Sequence, residues 1–231
     1  MQQLPLGVRL ADRALLESFH PGGNAQVLAW LDAFLAPGGQ GVGYLWGVTG
    51  SGKSHLLQAA CARVRGSGYF PLAQLAPLGP GILDGAETLS CACIDDLQRV
   101  AGDAGWEAAL FRLYVEMDAR GGRLLLAADL PPSQLALELP DLRSRYAAAS
   151  VFALQALDES QQREALRHRA QRRGLELPED TAIYLQRRFA RDMGTLQELL
   201  DTLDVASLTE QRRLTVPFIR EVLRSRLPPD A

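Results

Sequence analysis

Residues 47–54 read GVTGSGKS, which matches the phosphate-binding P-loop pattern G-x-x-x-x-G-K-S. Its glycines let successive backbone N–H groups turn inward around an anion, and a following helix adds the positive end of its dipole. Lys53 is the only lysine among the 24 basic residues, and all the others are arginine. A flexible ammonium reaches phosphate oxygens from a tight loop more readily than a planar guanidinium does. The alternative interpretation is a glycine-rich turn that contains a lysine by chance.

The residues on either side of this loop predict a strand–loop–helix unit. Residues 42–46 form a short apolar run typical of a strand, and residues 55–61 have the periodicity of an amphipathic helix. We therefore predict an α/β fold, with a parallel sheet flanked by helices, that binds ADP or ATP together with Mg²⁺. Lys53 would bridge the β- and γ-phosphates, and the Ser54 hydroxyl would hold the Mg²⁺. The residues expected to contact the nucleotide are Gly47, Thr49, Gly50, Ser51, Gly52, Lys53, Ser54 and His55.

Acidic residues follow two further predicted strands. Asp95 and Asp96 come after the apolar run 89–94, and Asp129 follows the run 123–128. The carboxyl ends of buried parallel strands are where an α/β fold places a Mg²⁺-associated acid. Asp95 would then support the metal, Asp96 would orient the attacking water, and Asp129 would contact the γ-phosphate or the water. The alternatives are a helix N-cap region for the acidic pair and a turn aspartate for Asp129.

The rest of the chain predicts a second, helical domain. Asn24 is a good N-cap for a helix over 25–36, and further helices are expected over 103–119 and near Arg143 and Arg145. From Asp158 onward every periodic segment is helical, and Asp158 with Gln161 forms a capping-box pattern. The predicted boundaries are an N-terminal peptide over 1–10, a nucleotide-binding domain over 11–156 and a helical domain over 157–231.

The composition of the chain argues against several classes of protein. The net charge is −3, and neither side of Ser150 has an excess of basic residues, which argues against direct binding to nucleic acid. No apolar run is long enough to span a bilayer, so we expect a cytoplasmic protein without a membrane partner. The three cysteines are Cys61, Cys91 and Cys93, and their positions favour core packing over a metal site or a disulfide.

Taken together, these motifs resemble the AAA+ ATPases, in which a P-loop domain with a parallel sheet precedes a small helical lid. Within that class the chain resembles the Hda family of DnaA-related regulators of bacterial replication initiation, and the likeness covers nearly the whole sequence. The segments that carry it are ESFHPGGN (17–24), CIDDLQRVAGDAGWEAALFRLY (93–114), LAADLPPSQL (126–135), LPDLRSRY (139–146) and LTVPFIREVL (214–223).

The resemblance implies a negative regulator that binds ADP or ATP, docks on the DNA-loaded β sliding clamp and stimulates hydrolysis of the ATP bound to DnaA. By the same resemblance Phe19 and His20 lie near the adenine, and Arg145 is an arginine finger that acts on DnaA. Arg143 is the competing candidate for the finger. The acids Asp95, Asp96 and Asp129 keep the roles given above.

The family's clamp-docking motif corresponds here to Gln3, Leu4 and Leu6, so the protein would reach DNA only through the clamp. Gly194 stands where the family usually has a lid arginine that touches the nucleotide. We therefore expect weak intrinsic ATPase activity. The alternatives are an autonomous AAA+ motor of the helicase or clamp-loader type and a P-loop small-molecule kinase. Whether the protein forms a homo-oligomer is open.

Overall fold

The computed structural model describes residues 14–172, 174–188, 199–200, 202–203, 206–207 and 214–226. The chain divides into two compact units, Met1–Ala156 and Leu157–Ala231. The first unit is built on a β-sheet, and the described elements of the second are all helices. Within the described residues no helix is both long and apolar enough to cross a membrane.

A five-stranded sheet forms the centre of the first unit. Its strand order is β2-β3-β4-β1-β5, and every neighbouring pair is parallel. This architecture confirms the predicted α/β fold with a parallel sheet. The strands are β1 (Gly41–Trp46), β2 (Ser67–Pro71), β3 (Cys91–Asp95), β4 (Arg123–Ala128) and β5 (Ser150–Ala153).

Helices cover both faces of the sheet. Alternate residues of β4 enter different cores: Leu126 packs in the cluster that contains α4 and α5, and Leu125 in the cluster that contains α1 and α2. Burial on both faces explains why these strands read as continuous apolar runs. The helices are α1 (Ala25–Leu35), α2 (Lys53–Arg63), α3 (Leu72–Leu75), α4 (Ala104–Ala119) and α5 (Pro140–Ala148).

The register of the sheet places the ends of three strands side by side. In β1 and β4, Trp46 pairs with Ala128, and in β3 and β4, Ile94 pairs with Leu126. The P-loop follows β1, the acidic pair closes β3, and Asp129 follows β4. All of these segments therefore leave the sheet at the same edge.

Asn24 occupies the predicted N-cap position of α1, which begins at Ala25, but its side chain does not cap the helix. Asn24 makes no side-chain hydrogen bond to the first turn of the helix. Its amide instead donates to the Gln155 carbonyl at 2.9 Å, and the Gln155 N–H donates to Asn24 Oδ1 at 2.8 Å. The two backbone groups beyond β5 offer Asn24 both a donor and an acceptor, which a helix N-terminus does not.

The second unit contains helices α6 (Glu159–Arg172), α7 (Glu179–Arg188) and α8 (Val216–Arg226). The predicted capping box is confirmed: the Gln161 N–H donates to Asp158 Oδ1 at 2.8 Å, and the Asp158 N–H donates to Gln161 Oε1 at 3.1 Å. Residues 199–200, 202–203 and 206–207 are helical as well. The core of this unit includes Leu166, Leu185, Leu200 and Phe218.

The three cysteines are buried free thiols in the first unit. Cys61 lies on α2, whereas Cys91 and Cys93 lie on β3, and all three pack in the cluster with α1 and α2. The predicted assignment to core packing is confirmed.

Candidate nucleotide-binding site

The P-loop connects β1 to α2, and two of its glycines are required by close approaches. A Cβ at Gly47 would lie 2.6 Å from the Leu154 carbonyl oxygen, and a Cβ at Gly52 would lie 2.5 Å from the Phe19 ring. Gly52 also has a φ of +97°, in the left-handed region, where residues with a Cβ are disfavoured. The loop can therefore take this path only with glycine at these positions.

Lys53 closes the loop on itself. Its Nζ donates to the carbonyl oxygens of Gly47 at 2.6 Å and Val48 at 3.1 Å. It also lies 3.1 Å from Asp129 Oδ1. The side chain is 7% exposed, so these three acceptors satisfy the three donors of a buried ammonium. In a nucleotide complex, phosphate oxygens would have to replace some of these acceptors.

Two observations indicate that the P-loop can accommodate a phosphate group. The Ser51 hydroxyl is buried and has no hydrogen-bond partner within the part of the chain that the structure describes. Gly50 has a φ of +82°, and a Cβ there would meet no atom within 4 Å, so that side of the loop is open. A bound phosphate would supply acceptors for such a hydroxyl and for loop N–H groups. Thr49 is exposed in the same loop.

Asp95 is held at the end of β3 by two donors. The Tyr69 hydroxyl donates to Asp95 Oδ2 at 2.8 Å, and the Asp96 N–H donates to Oδ1 at 3.0 Å. Burial, and next the Asp95 charge, raise the pKa of Tyr69, which therefore stays protonated and keeps donating. No sequence motif identified Tyr69, because its partner lies on a different strand.

Ser54 and Asp95 suit a nucleotide-bound Mg²⁺. Both side chains interact with the Tyr69 hydroxyl, and Ser54 is exposed in the first turn of α2. Mg²⁺ commonly takes only one or two protein ligands and completes its shell with phosphate oxygens and water. The structure thus brings together the two residues predicted for the metal.

Asp96 adopts a left-handed backbone conformation, with φ 60° and ψ 44°. Within the described residues it is the only non-glycine residue with positive φ, and aspartate tolerates this region better than most residues. Burial raises the pKa of the Asp96 carboxyl, and the neighbouring Asp95 and Asp129 charges raise it further. A hydrogen bond from Gln98 acts in the opposite direction.

Gln98 joins the acidic residues of two strands. It lies in the 3₁₀ turn Leu97–Arg99 that follows β3. Its Nε2 donates to Asp96 Oδ1 at 3.1 Å and to Asp129 Oδ2 at 3.0 Å, and the Asp129 N–H donates to its Oε1 at 3.2 Å. No sequence pattern identifies Gln98, because a glutamine two residues after an acid belongs to no recognised motif.

The segment before α1 lies against the P-loop helix. The Phe19 ring contacts the backbone at Gly52, and its centroid lies 5.7 Å from that of the His55 ring. His55 Nε2 lies 2.9 Å from the Leu15 carbonyl oxygen and 3.3 Å from Ser18 Oγ. His20, the other residue expected near the adenine, follows Phe19 and is partly buried. These contacts bring Phe19 and His55 to the start of α2.

The two candidate finger arginines lie on α5 and have different partners. Arg143 donates to the Leu137 carbonyl oxygen, which commits its guanidinium to the backbone. The Arg145 guanidinium lies over two aromatic rings of α4, 5.4 Å from the Phe111 centroid and 5.1 Å from the Tyr114 centroid. Within the described residues, Arg145 is therefore held against α4 by these two rings and by a polar interaction with the Tyr114 hydroxyl.

Comparison with known proteins finds similarity for both units of the chain. Residues 158–223 match the family model of the Hda lid domain. Domain III of DnaA from Thermotoga maritima superposes with a TM-score of 0.74 at 22% identity, over 96% of this chain and 100% of that chain. The second unit therefore resembles the lid domain of Hda proteins, and the chain as a whole has the fold of DnaA domain III. The AAA+ fold expected from the sequence is confirmed.

Two further solved structures share the fold of this chain. AMPPCP-bound DnaA from Aquifex aeolicus has a TM-score of 0.63 at 22% identity, over 76% of this chain and 60% of that one. The Thermotoga maritima RuvB Holliday junction branch migration motor has a TM-score of 0.63 at 16% identity, over 94% of this chain and 73% of that one.

Four residues with predicted roles lie outside the described residues. They are Gln3, Leu4 and Leu6, expected to bind the clamp, and Gly194, which replaces the expected lid arginine. Their roles stay predictions.

Proposed function

We propose that this chain is a negative regulator of replication initiation that stimulates hydrolysis of DnaA-bound ATP while it carries ADP or ATP with Mg²⁺ itself. The observation that carries this proposal is the match of residues 158–223 to the Hda lid domain. The P-loop, with Lys53 at its centre and acids from β3 and β4 beside it, supports a bound nucleotide.

Arg145 would act on the ATP of DnaA. A guanidinium placed beside a partner's γ-phosphate stabilises charge that develops in the transition state, an effect of about 10³–10⁵ in rate in GTPase systems. A thousandfold effect corresponds to about 4 kcal/mol, whereas an exposed cation–π contact is worth about 0.5–1 kcal/mol. The rings of Phe111 and Tyr114 can thus hold Arg145 between encounters without preventing its transfer to a phosphate.

Clamp docking would bring the regulator to DNA. Gln3, Leu4 and Leu6 flank Pro5 in a short peptide with two leucines, which suits an apolar groove at a low cost in ordering. The protein itself is not expected to bind DNA, because its net charge is −3. Replacing Leu4 and Leu6 by alanine should abolish retention on clamp-loaded DNA, and retention that persists would contradict this part of the proposal.

The deciding experiment measures hydrolysis of labelled ATP bound to DnaA in the presence of clamp-loaded DNA. Wild-type protein should stimulate hydrolysis, and Arg145→Ala should lose stimulation by about 10³-fold or to background. Arg143→Ala is the matched control on the same helix and should retain most of the stimulation. Loss with Arg143→Ala and not with Arg145→Ala would reassign the finger, and no stimulation by the wild type would overturn the regulatory function.

An autonomous ATPase is the second candidate, because the chain assembles acids from β3 and β4 next to its own Lys53. This function predicts rapid ATP turnover by the isolated protein that is lost with Asp96→Asn. Our proposal predicts turnover near background, in keeping with Gly194 at the lid position.

A further inference from the structure

Gln98 bridges two carboxylates that would otherwise face each other unshielded. Its single amide nitrogen donates to Asp96 Oδ1 at 3.1 Å and to Asp129 Oδ2 at 3.0 Å. Its amide oxygen accepts the Asp129 N–H at 3.2 Å, which fixes the orientation of the amide group. Both donors and the acceptor of one neutral side chain are therefore engaged between the ends of β3 and β4.

Asp129 has two partners on opposite sides. Oδ1 lies 3.1 Å from Lys53 Nζ, and Oδ2 accepts from Gln98. A phosphate that enters the P-loop must draw the Lys53 ammonium toward itself and away from Asp129. When that happens, Gln98 is the remaining donor to the Asp129 carboxylate among the contacts described here, and Asp96 lies close by with a like charge.

We propose that Gln98 is a positioning residue that allows Lys53 to exchange Asp129 for phosphate. This inference rests on the proposed nucleotide site and extends it to a residue outside the P-loop and the acidic pair. Hydrogen bonds to ionised groups are stronger than those between neutral groups, so the amide compensates Asp129 for the loss of the ammonium. Gln98 touches the two carboxylates and would act on nucleotide binding through them.

Removing the amide should weaken nucleotide binding. In Gln98→Leu, the Asp129 carboxylate would have no donor once Lys53 moves to the phosphate, and the like charge of Asp96 would remain close by. We therefore expect the affinity for Mg-ADP to fall by about tenfold. Gln98→Glu keeps the size and an acceptor for the Asp129 N–H but replaces the donor with a third carboxylate at the bridge. Its loss of affinity should exceed that of Gln98→Leu.

A double-mutant cycle separates positioning from a general loss of stability. In an Asp129→Asn background there is no carboxylate to leave uncompensated, so the same Gln98→Leu change should alter affinity by less than about twofold. The measurement is isothermal titration of the full chain with Mg-ADP. Thermal unfolding midpoints show that each variant is folded. Gln74→Leu, an exposed glutamine on α3, is the matched control and should bind as the wild type does.

The outcomes distinguish this inference from the function on which it rests. If Gln98→Leu lowers the affinity for Mg-ADP equally in the wild type and in Asp129→Asn, or in neither, the role of Gln98 is overturned while nucleotide binding stays intact. No binding of Mg-ADP by the wild type would overturn the nucleotide site and the inference with it. Coupling between Gln98 and Asp129 in a protein that fails to stimulate DnaA would support the inference and overturn only the regulatory function.

Discussion

Gly52 meets two separate requirements at one position. Its φ of +97° lies in the left-handed region, and the Phe19 ring occupies the space that a Cβ would need. Gly50, two residues earlier, has a similar φ of +82° but open space around it. Substitutions at Gly50 and Gly52 therefore separate the free-energy cost of the backbone conformation from the cost of the contact with Phe19.

We expect Gly50→Ala to lower the free energy of unfolding by about 1–2 kcal/mol, the cost of a left-handed alanine. Gly52→Ala should cost about 1–3 kcal/mol more, because the methyl group must displace Phe19. Equilibrium unfolding in denaturant measures both values. Equal losses in the two variants would mean that Phe19 moves aside freely and does not constrain the loop.

Glu107 on α4 fixes the segment that leads into α5. Its carboxylate accepts backbone N–H groups from Gly102 at 2.8 Å, Glu138 at 3.0 Å and Leu139 at 2.6 Å. Glu107 is 1% exposed, so water cannot replace its carboxylate as the acceptor for these three N–H groups. One buried acid thus anchors the start of the helix that carries Arg145.

Glu107→Ala should lower the free energy of unfolding by about 3 kcal/mol or more, because it strands three backbone donors at about 1–3 kcal/mol each. It should also reduce stimulation of DnaA, since the start of α5 loses its anchor. Glu116→Ala on the same helix is the control and should stay within about 0.5 kcal/mol of the wild type. Unfolding of both variants in denaturant measures these free energies. Similar losses of stability in the two variants would contradict the anchoring role of Glu107.

Asp158 caps α6 and makes the helical unit sensitive to acid. The Gln161 N–H, followed by the Ser160 hydroxyl, lowers the pKa of the Asp158 carboxyl. A carboxyl whose pKa is lower in the folded state stabilises the fold above its unfolded pKa, and that contribution is lost as the pH falls through the folded value.

Asp158→Asn keeps a capping oxygen without a titrating group. The difference in thermal midpoint between wild type and variant should therefore be largest at neutral pH and shrink as the pH drops below about 3.9, the ordinary aspartate pKa. Circular dichroism melts across this range measure it. A difference that does not change with pH would show that the ionised cap contributes nothing.

At the scale of the whole molecule, the parallel sheet assembles one site from distant segments. β3, β4 and β1 are neighbours in the sheet, so Asp95, Asp129 and Lys53 meet at one edge although up to 76 residues separate them along the chain. Parallel neighbours whose carboxyl ends coincide make this edge the place where ligands bind in α/β folds.

Nucleotide binding should therefore stabilise the unit Met1–Ala156. With Mg-ADP at 100 times its Kd, the free energy of unfolding should rise by about 2.7 kcal/mol through mass action. Lys53→Met keeps the buried alkyl chain but removes the ammonium, and it should abolish the increase. An undiminished rise in the variant, measured by thermal unfolding with and without ligand, would show that nucleotide binds without the P-loop lysine.

The sequence alone determined the strand–loop–helix unit, the parallel sheet and the helical second unit, because periodicity and glycine spacing are local properties. It also determined that acids follow β3 and β4. The partners of individual side chains were decided only by tertiary structure. Asn24 pairs with Gln155, 131 residues away, and Gln98 joins two carboxylates on neighbouring strands. Such contacts depend on strand order and register, which bring together groups that no local pattern relates.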